Sequence, residues 1–352
     1  MNNHDAIADV LKRGVVIPAL PLALNKNRKL DERRQRALIR YYLDAGAGGI
    51  AVAVHTTQFA IRSPEVNLFL PLLELAREEF DRFLQSNEKP VIRIAGAIGK
   101  TRQAIREASA ARDHGFHCVL LSLAAFQGSS NKEILNHCRK ISEIIPLVGF
   151  YLQPAVGGRQ LDVNFWREFA GIPDVVAIKI APFNRYYTFD VVRGVAESGR
   201  ADEIALYTGN DDSILTDLLS EYRITAGDRV INKRIVGGLL GHWAVWTKSA
   251  VDLLEAVHNG KFDNDVQNAS VLANKITDCN SAFFDSANNF KGCIVGLHEV
   301  LRRQGLFEGI WTIDRNERLS PGQKAEIERV YRSYPELNDD DFVAANLDRW
   351  MA

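Results

Sequence analysis

The chain has 352 residues, of which 46% are hydrophobic and 25% charged, and its formal net charge at pH 7 is -1. That length and apolar content allow one large domain or two smaller ones with a sizeable core. The balanced charge leaves no electrostatic footprint for nucleic acid or an anionic membrane, and no apolar run reaches the roughly 20 residues of a membrane-spanning helix.

Short apolar runs alternate with longer amphipathic stretches. The runs are Val15–Leu24, Gly49–Val54, Val91–Ala97, His117–Leu123, Pro146–Leu152, Val175–Ile180, Ile204–Thr208 and a less regular one at Arg234–Val245. They are brief and rich in Val and Ile, as buried parallel strands are. Helices are predicted between them at Asp31–Ala45, with Asp31 as cap, and at Thr101–His114, which starts on Thr and stops before Gly115. Further helices are predicted at Asn131–Glu143, Val163–Ala170 and Asp211–Glu221. Eight strand signals with helical spacers are the pattern of a (β/α)8 TIM barrel within the α/β class. A doubly wound sheet is the competitor, but no GxGxxG follows the first strand.

The barrel is expected over residues 10–260, with residues 261–352 as a C-terminal helical extension packed on it. Helices are predicted there at Asn264–Phe284, Gly292–Gln304 and from Ser320 to about Arg332, the last with Pro321 at its first position. The four cysteines, Cys118, Cys138, Cys279 and Cys293, make no CxxC pair and read as buried thiols. The opening MNNHDAIADVLKRG is polar and lacks the apolar region of a secretory signal, so a cytoplasmic protein is expected.

Barrel enzymes build their sites at the carboxyl ends of strands. Those positions carry Thr56 and Thr57 after strand two, Tyr151 late in strand five, Lys179 late in strand six, Gly209, Asn210, Asp211 and Asp212 after strand seven, and His242 after strand eight. Lys179 is the anomaly, because it interrupts an apolar run between Ile178 and Ile180. Burying an ammonium is costly, and a buried lysine lowers its pKa instead. A neutral amine attacks a ketone and forms an imine, an electron sink for chemistry at the neighbouring carbon. The bland alternative is a lysine that snorkels outward or pairs with a carboxylate. The bland alternatives for Tyr151 and the Thr pair are rim packing and strand propensity.

The ordered set resembles the dihydrodipicolinate synthase and N-acetylneuraminate lyase family, the pyruvate-dependent class I aldolases. His55-Thr56-Thr57-Gln58 stands where that family has a glycine-rich turn with a Thr pair. Tyr151-Leu152-Gln153-Pro154 stands for its Tyr-Asn-x-Pro, and VVAIK ends on Lys179 as its imine strand does. Tyr151 and Lys179 are 28 positions apart, Gly209 with Asp211 resembles the strand-seven glycine and acid, and KGCIVGLHEVLRRQGL resembles the segment before the final helices. The resemblance runs over about residues 10–310. It implies an imine on Lys179 with a 2-oxo acid, Tyr151 as proton relay assisted by Thr56, and carboxylate binding at the Thr56–Thr57 turn. It also implies no cofactor and no metal beyond that covalent imine, and a homo-oligomer, tetramer or dimer.

The departures bear on the substrate. His55 and Gln58 replace turn glycines, and either His55 contacts a ligand or it packs outward. Ala124-Ala125-Phe126-Gln127 replaces the synthase's aromatic pair. Val156-Gly157-Gly158 stands where its carboxylate-binding arginine should be, with Arg159 as a displaced candidate. Asp211 and Asp212 are candidates for binding substrate hydroxyls, or are acids of a helix's first turn. His242 is a further candidate contact or a packed rim residue, and Trp243 and Trp246 are expected to pack. These changes favour a divergent aldolase or dehydratase over the lysine-pathway synthase. Two other readings remain: a binding or regulatory protein that keeps the barrel, and a metal-dependent barrel enzyme, for which His55, Asp211 and His242 form no HxH or HExxH pattern.

Overall fold

The structure, a computed structural model, describes residues 3–352, with the side chains of residues 3–6 and 155 excepted. In chain order the first elements are α1 (Asn3–Arg13), β1 (Val16–Pro18), α2 (Glu32–Ala45), β2 (Gly49–Val52), α3 (Phe69–Ser86), β3 (Ile92–Ala97) and α4 (Thr101–Asp113). Next come β4 (Cys118–Leu121), α5 (Asn131–Ser142), β5 (Leu147–Leu152), α6 (Val163–Ala170), β6 (Val175–Ala181), α7 (Arg185–Glu197) and β7 (Ala205–Thr208). The chain closes with α8 (Ile214–Leu219), β8 (Glu221–Ala226), β9 (Arg229–Leu240), α9 (Thr247–His258), α10 (Val266–Phe283), α11 (Cys293–Arg303), α12 (Gln323–Ser333) and α13 (Asp340–Met351). The fold is α/β, a (β/α)8-like, nearly closed parallel barrel with additional C-terminal helices.

The chain forms two compact units, Met1–Val15 with Ile92–Leu239, and Val16–Val91 with Leu240–Ala352. In the first, β3, β4, β5, β6, β7 and β9 pair in that order, all parallel. The side chains of β3 to β7 are mostly buried on both faces, which explains their apolar runs. The register shifts between Leu147 and Val148, so Phe150 lies opposite Lys179 and Tyr151 opposite Ile180. Caps follow local chemistry. Ser130 and Glu133 form a reciprocal capping box on α5, Asp162 accepts the Phe165 N–H at 2.8 Å to start α6, and Asn184 starts α7.

The eighth strand differs from expectation. It runs Arg229–Leu240, not Arg234–Val245, because its first half folds antiparallel with β8 about a turn at Gly227 and Asp228. The helix expected over Asp211–Glu221 contracts to Ile214–Leu219 for the same reason: Glu221 opens a strand. Thr101 is not a cap, since its hydroxyl lies 3.0 Å from the His137 ring.

In the second unit Asp31 caps α2 by accepting the Arg34 N–H at 3.1 Å, as its position predicts. Here α13 packs on α2. The Trp350 indole is buried against Tyr41 and donates to Asp44 at 2.6 Å, and Arg40 donates to the Trp350 carbonyl. Asp339, at the start of α13, accepts from the Tyr41 hydroxyl, the Lys248 N–H and the Gln304 amide. All four cysteines are free and buried. No helix among the described residues is long and apolar enough to cross a membrane.

Candidate active site

Strand β6 is Val-Val-Ala-Ile-Lys-Ile-Ala, and Lys179 alone in it is only partly buried. Alternation puts Ala177, Lys179 and Ala181 on one face and Ile178 and Ile180 on the other. On the lysine's face the amine lies over the Phe150 ring, 4.7 Å from its centroid. The aliphatic stem rests on Gly209, where an added Cβ would stand 2.6 Å from the lysine Cε and 2.8 Å from the Ala181 Cβ. Glycine is therefore the residue that lets strand seven's end approach the lysine. Burial pushes the amine down to about 8, against the opposing pull of the Asp211 carboxylate. About a tenth of the amine is then neutral at pH 7, far more than in a solvated lysine.

The segment holding Gly209 and Asp211 is fixed from behind. The Gly209 N–H donates to the Ile180 carbonyl at 2.7 Å. The Asn210 amide donates to Thr188 at 3.1 Å and to Asp217 at 2.9 Å, and its oxygen accepts the Phe183 N–H at 3.0 Å. Thr208 donates to the same Asp217 oxygen at 2.6 Å, and Arg185 pairs with the other carboxylate oxygen. Asp217 has no solvent exposure, so this network is a satisfied buried one that specifies the turn. Asp211 and Asp212 follow it. Asp211 is 6% exposed and its charge acts on Lys179. Burial pushes the Asp212 carboxyl up, with Asp217 and Arg185 as its charged neighbours.

Tyr151 is not brought to Lys179. It lies on the helix-facing side of β5, the side on which an added Gly149 Cβ would meet Phe169 of α6. Its ring packs 5.2 Å from Trp166 and 6.0 Å from Tyr187. Its hydroxyl accepts the Leu161 N–H at 3.1 Å and lies 3.3 Å from the Leu161 carbonyl. A side chain on the opposite face of a strand cannot serve the amine of its neighbour, and Phe150 takes the position facing Lys179. The structure thus places the Tyr151 hydroxyl, expected to relay protons, on the helix side of β5. Tyr207 of β7 pairs in register with Lys179 but donates to the Leu11 carbonyl at 2.9 Å.

Arg159 ties two loops together. It donates to the Phe126 and Ser129 carbonyls at 2.8 and 2.6 Å, while Gln127 donates back to the Gly157 and Gly158 carbonyls. That is a brace between the β4 and β5 loops, and it engages Nη1 of the guanidinium expected to bind an anion. Phe126 packs on His137, ring centroids 4.5 Å apart, under the Lys100 amine.

In the second unit His55, Thr56 and Thr57 form one helical turn after β2. Thr56 Oγ1 lies 2.8 Å from the Ala19 carbonyl, and Thr57 Oγ1 donates to the Leu20 carbonyl at 2.6 Å while accepting the Val54 N–H. Both hydroxyls thus staple this turn to the chain after β1. His55 packs edge-on to Phe59 at 5.8 Å. Gln58 holds φ +68° and accepts the Ile313 N–H at 2.6 Å. His242 is buried between Phe283 and Trp246, and its Nδ1 lies 3.3 Å from the Asn280 amide. Burial pushes its imidazole down to about 4, so it is neutral at pH 7. Trp243 and Trp246 pack, as expected. Among the described residues no three or more His, Cys, Asp or Glu side chains gather where a metal ion could be held.

Comparison with known proteins follows the same lines. The family model described as "Dihydrodipicolinate synthetase family" matches residues 12–306. N-acetylneuraminate lyase 2 of Escherichia coli O6:H1 is 24% identical over 269 residues, 75% of this chain and 78% of that protein. The N-acetylneuraminate lyase of Citrobacter koseri is 24% identical over 58% of this chain and 65% of its own length. The crystal structure of dihydrodipicolinate synthase from Oceanobacillus iheyensis superposes with a TM-score of 0.74 at 18% identity, covering 94% of this chain and 99% of that one. YagE, a prophage protein from Escherichia coli K12 solved in complex with pyruvate, gives 0.73 at 17% identity, covering 91% and 98%. With a family model spanning most of its length and a barrel of the same fold, the chain belongs to the dihydrodipicolinate synthetase family.

Proposed function

We propose that the protein is an imine-forming, class I lyase, an aldolase or dehydratase acting on a 2-oxo acid such as pyruvate or a sugar-derived 2-oxo acid. The observation that carries this reading is the amine of Lys179, lowered to about 8 by burial at the carboxyl end of β6. Such an amine is nucleophilic near neutral pH without a separate base. Relatives named as N-acetylneuraminate lyases and a 4-hydroxy-tetrahydrodipicolinate synthase support the reaction class. Carboxylate binding is assigned to the Thr56–Thr57 turn, where the resemblance to the family places it. His55, Gly209 and Asp211 remain candidates for contacts further along the substrate, and a homo-oligomer in the cytoplasm is the expected setting.

The relay role is not assigned to Tyr151, whose phenol is engaged at Leu161. Arg159 and His242 are not assigned substrate roles either, one bracing two loops through its Nη1 and the other buried and neutral. A specific observation favours a second reading: Phe150 offers the lysine no phenol, as expected of a barrel that binds 2-oxo acids without turning them over. Borohydride reduction in the presence of a panel of 2-oxo acids, followed by peptide mass mapping, tests the proposal. A stable adduct on Lys179 is expected. No adduct with any member of the panel would refute it. Catalytic release of pyruvate from a 2-oxo acid aldol then separates enzyme from binding protein.

A further inference from the structure

Imine formation moves two protons from the amine to the oxygen that leaves as water. Some group near Lys179 has to carry them. The phenols of β5 and β7 are committed elsewhere: Tyr151 faces the helices and is bound at Leu161, and Tyr207 donates to the Leu11 carbonyl. Phe150, which faces the amine from β5, has no proton to give. Asp212 has Asp217 and Arg185 as its charged neighbours. Asp211 is the carboxylate whose charge acts on the amine. It is 6% exposed, and it lies two residues past Gly209, whose bare Cα is packed against the lysine stem. It is flanked by Asn210, clamped through its side chain, and by Ser213, whose N–H donates to the Asn210 carbonyl at 2.9 Å. The segment that packs on the lysine stem therefore also carries a carboxylate whose charge reaches the amine, and a carboxylate there is able to carry protons.

Resting on the imine reading above, we propose that Asp211 is the proton shuttle of this site, in the place left by a phenol that the fold has turned away. The neutral Lys179 Nζ adds its electron pair to the C2 carbonyl carbon, and the C=O π pair moves to oxygen. The Asp211 carboxylate takes a proton from the new C–N⁺ centre and passes it to that oxygen, giving the carbinolamine. The nitrogen pair then forms C=N as the C–O bond breaks. The remaining N–H proton travels through the same carboxylate to the departing oxygen, which leaves as water. Amine and ketone become imine and water, and no further reactant is needed.

The charges make the test decisive. Asp211 opposes the fall in the Lys179 pKa, so removing the carboxylate leaves more neutral amine near pH 7. A purely electrostatic Asp211 therefore predicts equal or faster adduct formation in Asp211→Asn, and a shuttle predicts the reverse. Pyruvate is the probe, because it has no distal hydroxyls for a merely substrate-binding carboxylate to hold. The full chain and its variants are incubated with pyruvate and borohydride, and the rate of Lys179 adduct formation is read by mass across pH. Asp211→Asn is expected to be roughly a hundredfold slower, and Asp211→Glu, which restores the carboxylate, within about tenfold of the parent. Acetate added to Asp211→Ala is expected to restore part of the rate. Thermal melts confirm that each variant is folded. Adduct formation at the parent rate in folded Asp211→Asn overturns the proposal while leaving the imine reading intact. A parent that forms no adduct overturns both.

Discussion

Phe150 lies face-on beneath the amine of Lys179, 4.7 Å away on the neighbouring strand. The ring's π face favours an ammonium, while the removal of water disfavours it. Burial is the larger effect here, since the amine is lowered to about 8. An aromatic floor of this kind keeps water from one side of the nitrogen and leaves the lone pair accessible from the other.

The nucleophile should be separable from the fold. Lys179→Met replaces a partly buried amine by an apolar chain of similar length. Turnover and adduct formation are expected to fall by at least about a thousandfold, with a Tm equal to the parent's or higher, because an unfavourably buried amine is gone. Adduct mass mapping and a calorimetric scan of the same sample check both halves.

The amine's pKa sets a pH profile. Protonation removes the lone pair, so adduct formation with pyruvate should rise with pH through about 8 and level off above it. The sign follows from the depressed pKa: the neutral form is absent well below that value and complete well above it. A rate still climbing steeply at pH 10 would mean an ordinary, solvated lysine.

Gly209→Ala tests the approach of strand seven. Its Cβ would meet the lysine Cε at 2.6 Å and the Ala181 Cβ at 2.8 Å. Overpacking of this kind costs about 1–3 kcal/mol. Displacement of the lysine stem should slow adduct formation by about tenfold or more. Denaturant titration and trapping kinetics measure the two effects separately.

Tyr151→Phe removes the acceptor of the Leu161 N–H, whose other hydrogen-bonding group lies beside the same hydroxyl. A loss of about 1–3 kcal/mol is expected for leaving buried backbone groups unpaired. Urea titration of the folded protein provides the value. An unchanged stability would show that the hydroxyl is free to face elsewhere.

Trp350→Ala should uncouple the last helix. The indole fills the space against Tyr41 and holds Asp44. Truncation is expected to cost about 3–5 kcal/mol, and loss of α13 should appear as rapid proteolysis after Asp340 in limited digestion.

The place of Lys179 in a strand was legible because a cation interrupts the apolar run VVAIKI, while its role was not, because a snorkelling or paired lysine fits the same run. The strands were legible for a related reason, being mostly buried on both faces and so largely apolar. The face of Tyr151 was not legible, because spacing along a chain does not reveal which face of a strand a residue occupies. One register shift between Leu147 and Val148 decides that, and it presents Phe150 to the lysine instead. The β8–β9 hairpin was missed because its first strand lies between the expected helix and the next apolar run, with only Gly227 and Asp228 to mark the turn. Arg159 looked free for an anion because its partners are backbone carbonyls, which have no sequence signature. α13 was missed because only Val343 and Trp350 of its residues are buried, too few to give a periodic apolar stripe.

The four thiols give the folded chain a built-in chemical clock. Cys118 and Cys138 lie in one compact unit and Cys279 and Cys293 in the other. Burial pushes Cys118, Cys138 and Cys279 up to about 12, so a thiol reagent at neutral pH is blocked both by access and by the scarcity of thiolate. Alkylation then waits on opening motions rather than on the reagent. Timing which cysteines are marked first reads whether the two units breathe together or one after the other, with no label or mutation introduced.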